Sequence, residues 1–493
     1  MEETLDPPDW NEFRQLGHQM LDDMLDWLQH VRERPVWQPL PDSVRTSLRR
    51  PLPLKPEGAA AAYQDFRQHV LPYPMGNVHP RFWAWVMGTG TPLGVLAEML
   101  AAGMNPNMGG GEHAPNHVEA QVLDWCKAML GYPKTASGLL VSGGSMANLV
   151  ALAVARHVHA RVDVRALGVR AAAGPLTVYA SRETHSSVQK AVELLGLGTE
   201  AYRLVPVDGE YRVDVAALAQ RLRTDRAGGA IPVCVIGNLG TVNTGAIDDL
   251  DALADLCAAE KVWFHVDGAF GAAAAMVPSY RSQTRAMGRA DSVAFDLHKW
   301  LYMPFETGCV LVRDAEAHRH TFSIFPDYLK RSTRGVAGGD LWLSEYGVQL
   351  TRGFRALKVW MSLKEHGADK YGRLVAQNIE QARYLAELVR AAPDLELMAP
   401  VPLNIVCFRW NDRAGLDGET LDAINQEILL QLHERGIAVP SNAVLGGRFC
   451  IRAAITNHRS RREDFDLLAL EVRRIGSECS AGIAQTKGAP SGL

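Results

Sequence analysis

The segment Ser292-Val-Ala-Phe-Asp-Leu-His-Lys-Trp300 places His298 and Lys299 at the end of an apolar, strand-like run. A lysine among apolar neighbours loses hydration, which lowers its pKa and frees its amine to act as a nucleophile. Such an amine can form a Schiff base with a carbonyl compound. Taken alone, the segment reads at least as well as a strand followed by a surface lysine, since most lysines are exposed. Upstream, Val262-Trp-Phe-His-Val-Asp267-Gly-Ala-Phe ends an apolar strand on a carboxylate. A carboxylate there needs a cation or hydrogen-bond donors. It can pair with a cationic heterocycle, or cap the turn that follows.

Two further segments have chemical potential. Val141-Ser-Gly-Gly-Ser-Met-Ala-Asn148 reads as a strand, a glycine-rich turn and a helix. Turn N–H groups and a helix N-terminus can cradle a phosphate, and Ser142 and Ser145 add hydroxyl donors. The segment is neither a P-loop nor G-x-G-x-x-G, and alone it is explained by a plain strand–helix connection. In Thr184-His185-Ser-Ser187, a Ser or Thr can cap a helix while the imidazole stacks flat on an aromatic ring. In chain order the four segments supply a phosphate cradle, a stacking group, an acid for a ring nitrogen and an imine-forming amine. Pyridoxal 5′-phosphate needs this set.

The elements around these residues read as α/β. Strand-like runs at 139–141, 176–180, 231–236, 262–266, 292–295 and 309–312 alternate with helices beginning near 147, 186 and 248. This alternation predicts a mostly parallel sheet covered on both faces, with ligands at the carboxyl ends of its strands. Residues 12–31 carry Leu16, Met20, Leu21, Met24, Leu25 and Leu28 at helical spacing. A proline-rich stretch at 35–57 reads as an extended connection. Around 315–350 the pattern weakens; Gly335, Gly338 and Gly339 near Arg331 and Arg334 suggest a mobile loop. Long helices follow at 352–390, then a small α+β unit. The expected division is an N-terminal helical dimerisation segment at 1–85, a large cofactor domain at 86–390, a small C-terminal domain at 391–475 and a fraying tail at 476–493.

Composition narrows the function classes. Of 493 residues, 47% are hydrophobic and 22% charged, which excludes wholesale disorder. Lys and Arg total 51 against 55 Asp and Glu, a net charge of −4 with no global pull towards nucleic acid or anionic membranes. The seven cysteines are scattered without a C-x-x-C pair, as buried thiols of a reducing compartment would be. No apolar leader and no apolar run of about 18 residues is present, so the expected location is the cytoplasm. His113 and His117 have a helical metal-ligand spacing, but Pro115 intervenes and no metal site is expected. Arg331, Arg334, Arg352 and Arg355 read as solvated charges, and His157, His159, His318 and His320 as surface residues.

Asp267-Gly-Ala269 and His298-Lys299-Trp300, with Asp267 and Lys299 standing 32 residues apart, resemble the group II pyridoxal-phosphate-dependent decarboxylases of fold type I, the aromatic-L-amino-acid decarboxylase family. The resemblance extends over roughly residues 10–470 and includes His79-Pro80, 115–119, Tyr328-Leu-Lys and Arg355-Ala-Leu-Lys358. It implies that Lys299 is the Schiff-base lysine and that Asp267 pairs with the pyridinium nitrogen. Ala269 and His185 would cover the two ring faces. Gly143, Gly144 and Ser145 would hold the phosphate, with His298 nearby. Thr241, in Gly-Thr241-Val-Asn-Thr-Gly-Ala, would lie close to the cofactor, and Tyr328 would donate a proton to the carbanion. Trp85, Met87, Asn107 and Gly109 would line the substrate pocket.

The implied reaction is decarboxylation of an L-amino acid, aromatic by preference, to its amine and carbon dioxide, in a homodimer with shared active sites. The alternatives are an aldehyde synthase, a decarboxylase of an acidic or diamino acid, or another enzyme on the same cofactor. Tyr328 argues against the aldehyde synthase, a subgroup that usually carries phenylalanine there. A non-catalytic scaffold would not require Lys299, Asp267 and His185 together. Two departures stand out. Asp296 occupies a position where animal members carry asparagine, and Asn107, Gly109 and Gly111 replace bulky pocket residues.

Overall fold

The computed structural model describes residues 2–324, 332–412 and 415–488, with backbone alone from 483. In chain order the strands are β1 (Phe82–Trp83), β2 (Ser137–Val141), β3 (Leu176–Ser181), β4 (Tyr202–Val205), β5 (Ile231–Asn238) and β6 (Trp263–Asp267). They continue as β7 (Ser292–Asp296), β8 (Gly308–Val312), β9 (Leu395–Leu397), β10 (Ile405–Trp410), β11 (Val439–Leu445) and β12 (Arg448–Ala454). Seven form one sheet in the order β2-β8-β7-β6-β5-β3-β4. The run β7-β6-β5-β3-β4 is parallel throughout, and β8 lies antiparallel to both β7 and β2. The α/β class and the mostly parallel sheet are those expected.

Burial explains why these strands read as continuous apolar runs. All residues of β3, β5, β6, β7 and β8 are buried, because helices cover both faces. The helix Gly144–His159 packs on β5, β6, β7 and β8 through Ala147, Val150, Ala151, Val154 and Ala155. The parallel register sets Asn238 beside Asp267 and Asp267 beside Ala294, so several strand ends reach one edge of the sheet.

The second sheet, β1-β11-β12-β10-β9, belongs mainly to the C-terminal part. Its edge strand β1 comes from far upstream and pairs in parallel with β11, Phe82 against Val439. Trp83 secures this pairing by stacking on Phe465 at 4.9 Å and donating its indole N–H to Ser460 Oγ at 3.1 Å. The N-terminal helix, Trp10–Gln29, starts on an Asp9 cap and buries only Trp27. Trp10, Phe13, Met20 and Leu25 on it stay exposed.

Four readings are corrected. The proline-rich stretch contains a short helix, Asp42–Ser47, with Pro41 at its N-cap, where a missing N–H does no harm. His318 is buried rather than a surface residue: its Nδ1 bonds Ser137 Oγ at 2.8 Å, its Nε2 bonds Tyr346 O at 2.8 Å, and burial pushes its pKa down to about 4. Arg352 is also buried, paired with Glu119 at 2.5 Å and donating to Met108 O and Leu140 O. The last helix runs Arg462–Gly488, past the point where a fraying tail was expected. Gly476 is a packing contact there, because a Cβ on it would press into the ring of buried Trp410.

That contact sets a stability prediction. Gly476→Ala is expected to destabilise the fold by about 1–3 kcal/mol through overpacking. Gly482→Ala, whose added Cβ meets nothing within 4 Å, should be neutral or stabilise by up to about 1 kcal/mol. Urea unfolding measures both, and equal effects would refute the close packing.

Candidate active site

The site is assembled from the segments that follow β2, β3, β5, β6 and β7. After β2 the chain turns through 142–145 into the helix Gly144–His159. The two glycines answer to crowding. A Cβ on Gly144 would lie 2.9 Å from Asp296 Oδ2, one on Gly143 would lie 3.2 Å from His298 Cε1, and Gly308 on β8 has room for none. The turn and the first residues of a sixteen-residue helix therefore pack closely against the end of β7, and a phosphate group would find the helix N-terminus there.

After β3, His185 itself caps the helix Ser186–Leu194, a part expected of Ser or Thr. Its Nδ1 accepts the Ser187 backbone N–H at 3.1 Å. Burial pushes its pKa down, with Asp267 opposing, so the neutral ring carries its proton on Nε2. After β5, buried Asp248 holds the strand end by accepting the Asn238 N–H at 2.7 Å, and burial pushes its carboxyl up to about 6. Thr241 turns into its own loop, where Oγ1 accepts the Ala246 N–H at 3.0 Å and meets Thr244 Oγ1 at 3.1 Å. Gly240 and Val242 on either side face the cavity.

Asp267 closes β6 at 5% exposure. Its Oδ2 accepts from Asn148 Nδ2 at 2.9 Å and its Oδ1 from the Ala269 N–H at 3.1 Å. Two donors offset the desolvation of a buried carboxylate while leaving acceptor capacity. After β7, Lys299 Nζ lies 2.8 Å from Asp296 Oδ2. Asp296 Oδ1 is buried with no hydrogen-bond partner. His298 Nδ1 accepts the Thr307 N–H at 3.0 Å, and its Nε2 stands 3.9 Å from Asp296 Oδ2. Burial lowers its pKa.

Two adjoining cavities meet at these residues and share His185, Asp267, Ala269 and Lys299. One, about 410 Å³, adds residues 142–146, Asp296 and His298. The other, about 240 Å³, adds Trp85, Val86, Phe270, Asn442 and Arg452. An amine, a carboxylate acceptor, a flat imidazole and an N–H-rich glycine turn thus face one space. That set could hold a phosphorylated, aldehyde-bearing pyridinium, with the Lys299 amine for the aldehyde and the remaining acceptor capacity of Asp267 for the ring nitrogen.

The structure brings together Lys299, Asp267, Ala269, His185, His298, Gly143, Gly144, Ser145 and Trp85. It does not bring Met87, Asn107 or Gly109 to either cavity. Asn107 Oδ1 is occupied by the N–H groups of Gly109 and Arg352, at 3.0 and 3.1 Å, and Gly109 abuts Leu350 O. Met87 packs with Val36, Phe82 and Val439. Tyr328 and Arg331 lie outside the described residues. Sequence reasoning missed Asn148 and Arg452. Both carried a signal: Asn148 is a polar residue on an otherwise apolar helix face, and Arg452 is a lone charge inside the apolar run Phe449-Cys-Ile-Arg-Ala-Ala-Ile455.

The pyridoxal-dependent decarboxylase conserved domain matches residues 41–411. An aromatic-L-amino-acid decarboxylase of Bacillus atrophaeus is 34% identical over 472 residues, covering 95% of this chain and 96% of that protein. A phenylacetaldehyde synthase of Petunia hybrida is 28% identical over 467 residues, covering 92% and 91%. Among solved structures, Oryza sativa TDC with PLP and tryptamine superposes with a TM-score of 0.88 at 27% identity, covering 96% of this chain and 99% of that one.

Gly144→Ala is expected to displace Asp296 or the turn. Loss of one charge-assisted hydrogen bond corresponds to about tenfold or more in the Kd for pyridoxal phosphate. Fluorescence titration of the cofactor-free protein measures it, and an unchanged Kd would detach this turn from the phosphate.

Proposed function

The chain belongs to the pyridoxal-dependent decarboxylase family and is a pyridoxal-phosphate-dependent amino-acid decarboxylase, and we propose that its substrate is an aromatic L-amino acid. The observation that carries this reading is the smaller cavity, in which Lys299 and Asp267 share walls with Trp85, Val86 and Phe270. Its apolar surface suits a flat side chain. The Bacillus atrophaeus protein, an aromatic-L-amino-acid decarboxylase by name, supports the same choice.

Pyridoxal phosphate, when bound, supplies a sink for the electrons of the breaking Cα–carboxylate bond. The residues that would hold it are Lys299 through its amine, Asp267 at the ring nitrogen, and His185 and Ala269 beside the ring. Gly143, Gly144 and Ser145, with His298 nearby, would hold the phosphate. Thr241 would act through its loop, whose neighbours line the cavity. Asp296 Oδ2, 2.8 Å from Lys299 Nζ, is placed to take a proton from that amine. Asp267 keeps an acceptor towards the cavity and so favours a proton on a ring nitrogen there. The apolar wall excludes water, which strengthens these charge interactions. Tyr328 is assigned the proton delivered to the substrate carbon.

We further assign the N-terminal helix to a homodimer interface, because Trp10, Phe13, Met20 and Leu25 stay exposed among the described residues. Within the division at 1–85, 86–390 and 391–475, β1 is the N-terminal segment's contribution to the small sheet, and the C-terminal unit extends past 475 along the helix Arg462–Gly488. A cytoplasmic location accords with six buried free cysteines, and cell fractionation checks it.

With added cofactor, the enzyme should release carbon dioxide from tryptophan, tyrosine, phenylalanine or dihydroxyphenylalanine and not from glutamate or diaminobutyrate. Turnover confined to the acidic or diamino substrates would overturn the substrate class. In the same assay Lys299→Ala should be inactive and lose the visible absorption of bound cofactor after dialysis. Tyr328→Phe should raise the share of aldehyde product, and an unchanged ratio would remove its role. Sedimentation should give a dimer; a fully active monomer would refute the shared interface.

A further inference from the structure

Behind Asp267 lies a buried chain of hydrogen bonds that the reaction as described does not use. Trp263, His265 and Asp267 alternate along β6 and so share one face of the sheet. His265 is fully buried, with Ser292 of β7 opposite it in register. Trp263 Nε1 donates to Ser292 Oγ at 2.8 Å, and the same oxygen meets His265 Nδ1 at 2.8 Å. His265 Nε2 meets Asn148 Oδ1 at 2.9 Å. Asn148 Nδ2 donates to Asp267 Oδ2 at 2.9 Å and to Ser187 Oγ at 3.1 Å. Ser187 ends the chain by bonding His185 Nδ1 through its hydroxyl at 2.8 Å and its backbone N–H at 3.1 Å.

The two ends fix every proton between them. A carboxylate only accepts, so the Asn148 amide must turn its NH₂ to Asp267 and its oxygen to His265. His265 therefore donates from Nε2. An indole N–H only donates, so Ser292 accepts from Trp263 and gives its own hydrogen to His265 Nδ1. Burial holds the His265 pKa down to about 4 against the pull of Asp267, which keeps the ring neutral in this tautomer. The two Asn148 hydrogens then go to the two sides of the cavity.

We propose that His265 is a positioning residue: as an Nε2–H donor it locks the Asn148 amide, which aims one hydrogen at Asp267 and the other, through Ser187, at His185. Without that donor the Asn148 oxygen loses its partner and the amide is held from its NH₂ end alone. The hydrogens aimed at Asp267 and Ser187 would then no longer be fixed in direction. The inference rests on the assignment of Asp267 and His185 to the cofactor ring.

The first measurement reads the tautomer in the wild-type protein. Long-range ¹H–¹⁵N NMR of histidine-labelled protein, cofactor-free and cofactor-loaded, should show His265 with Nε2 protonated and Nδ1 accepting, unchanged between about pH 6 and 9. The His265→Gln spectrum assigns the signal. An Nδ1–H tautomer, or a second proton gained in that range, overturns the proposal. The second measurement compares His265→Gln, which can keep an N–H near the Nε2 position, with His265→Leu, which cannot. Losing one hydrogen bond to a charged group predicts about a tenfold to hundredfold fall in kcat and a rise in cofactor Kd for the leucine variant, with glutamine restoring most of both. KM should move by less than about threefold in either, because the substrate is not touched. Equal behaviour of the two variants overturns the proposal. An inert enzyme without bound cofactor in the wild type would instead refute the decarboxylase reading, which keeps the two failures distinct.

Discussion

A carboxylate in a nearly dry place governs this site. Leaving Asp267 unpaired at the end of a fully buried strand would cost several kcal/mol. The fold answers with donors from two elements, the turn after β6 and the helix laid across the sheet. That helix has a second task. It begins at the glycine turn and carries Asn148 just over one turn further on, about 6 Å along its axis. The glycine-turn end of the helix and the donor to Asp267 thus ride on one rigid rod. Moving the helix to relieve either end would disturb the other.

The opposite wall is held from the C-terminal sheet. Arg452 is buried and sends its guanidinium hydrogens to Val242 O at 2.6 Å, Asn243 O at 3.0 Å and Trp85 O at 2.8 Å. Those acceptors lie in the loop after β5 and in the segment after β1. One side chain therefore joins three stretches of chain at the edge of the apolar cavity. A cation buried this deeply needs acceptors on every donor, and main-chain carbonyls meet that need without opposing charge. The small sheet is in this sense part of the site's wall, and β1 ties the upstream segment to the same structure.

The cradle side is balanced differently. Asp296 sits against the glycine turn, where its charge would repel a phosphate, and Lys299 lies on its Oδ2 at 2.8 Å. Salt-bridged to this lysine, the carboxylate presents a locally neutral pair. His298 cannot take over that pairing in its neutral form, since its Nδ1 already accepts from Thr307 and its Nε2 is 3.9 Å away. His298 therefore gives Asp296 little help, and in the cofactor-free protein its counter-ion is Lys299.

What could be read from sequence follows from where a residue's partners lie. Asp267, Lys299 and the 143–145 turn each have an ordinary local explanation, and they became legible as a set because all three follow apolar strand-like runs of one alternating pattern. That alternation of strands and helices also made the large sheet legible. Arg352 misled because its surroundings suggested solvent, while its partner Glu119 is 233 positions away. Trp85 was legible; Asn107 and Gly109 instead close a turn with Arg352 and Leu350, partners invisible at close range. His265 is the sharpest case. Its place between Trp263 and Asp267 is visible in the strand, yet its tautomer depends on Asn148, 117 positions upstream. Only when the helix crosses the sheet does an acceptor reach Nε2, and only then does a buried histidine become a donor of fixed direction.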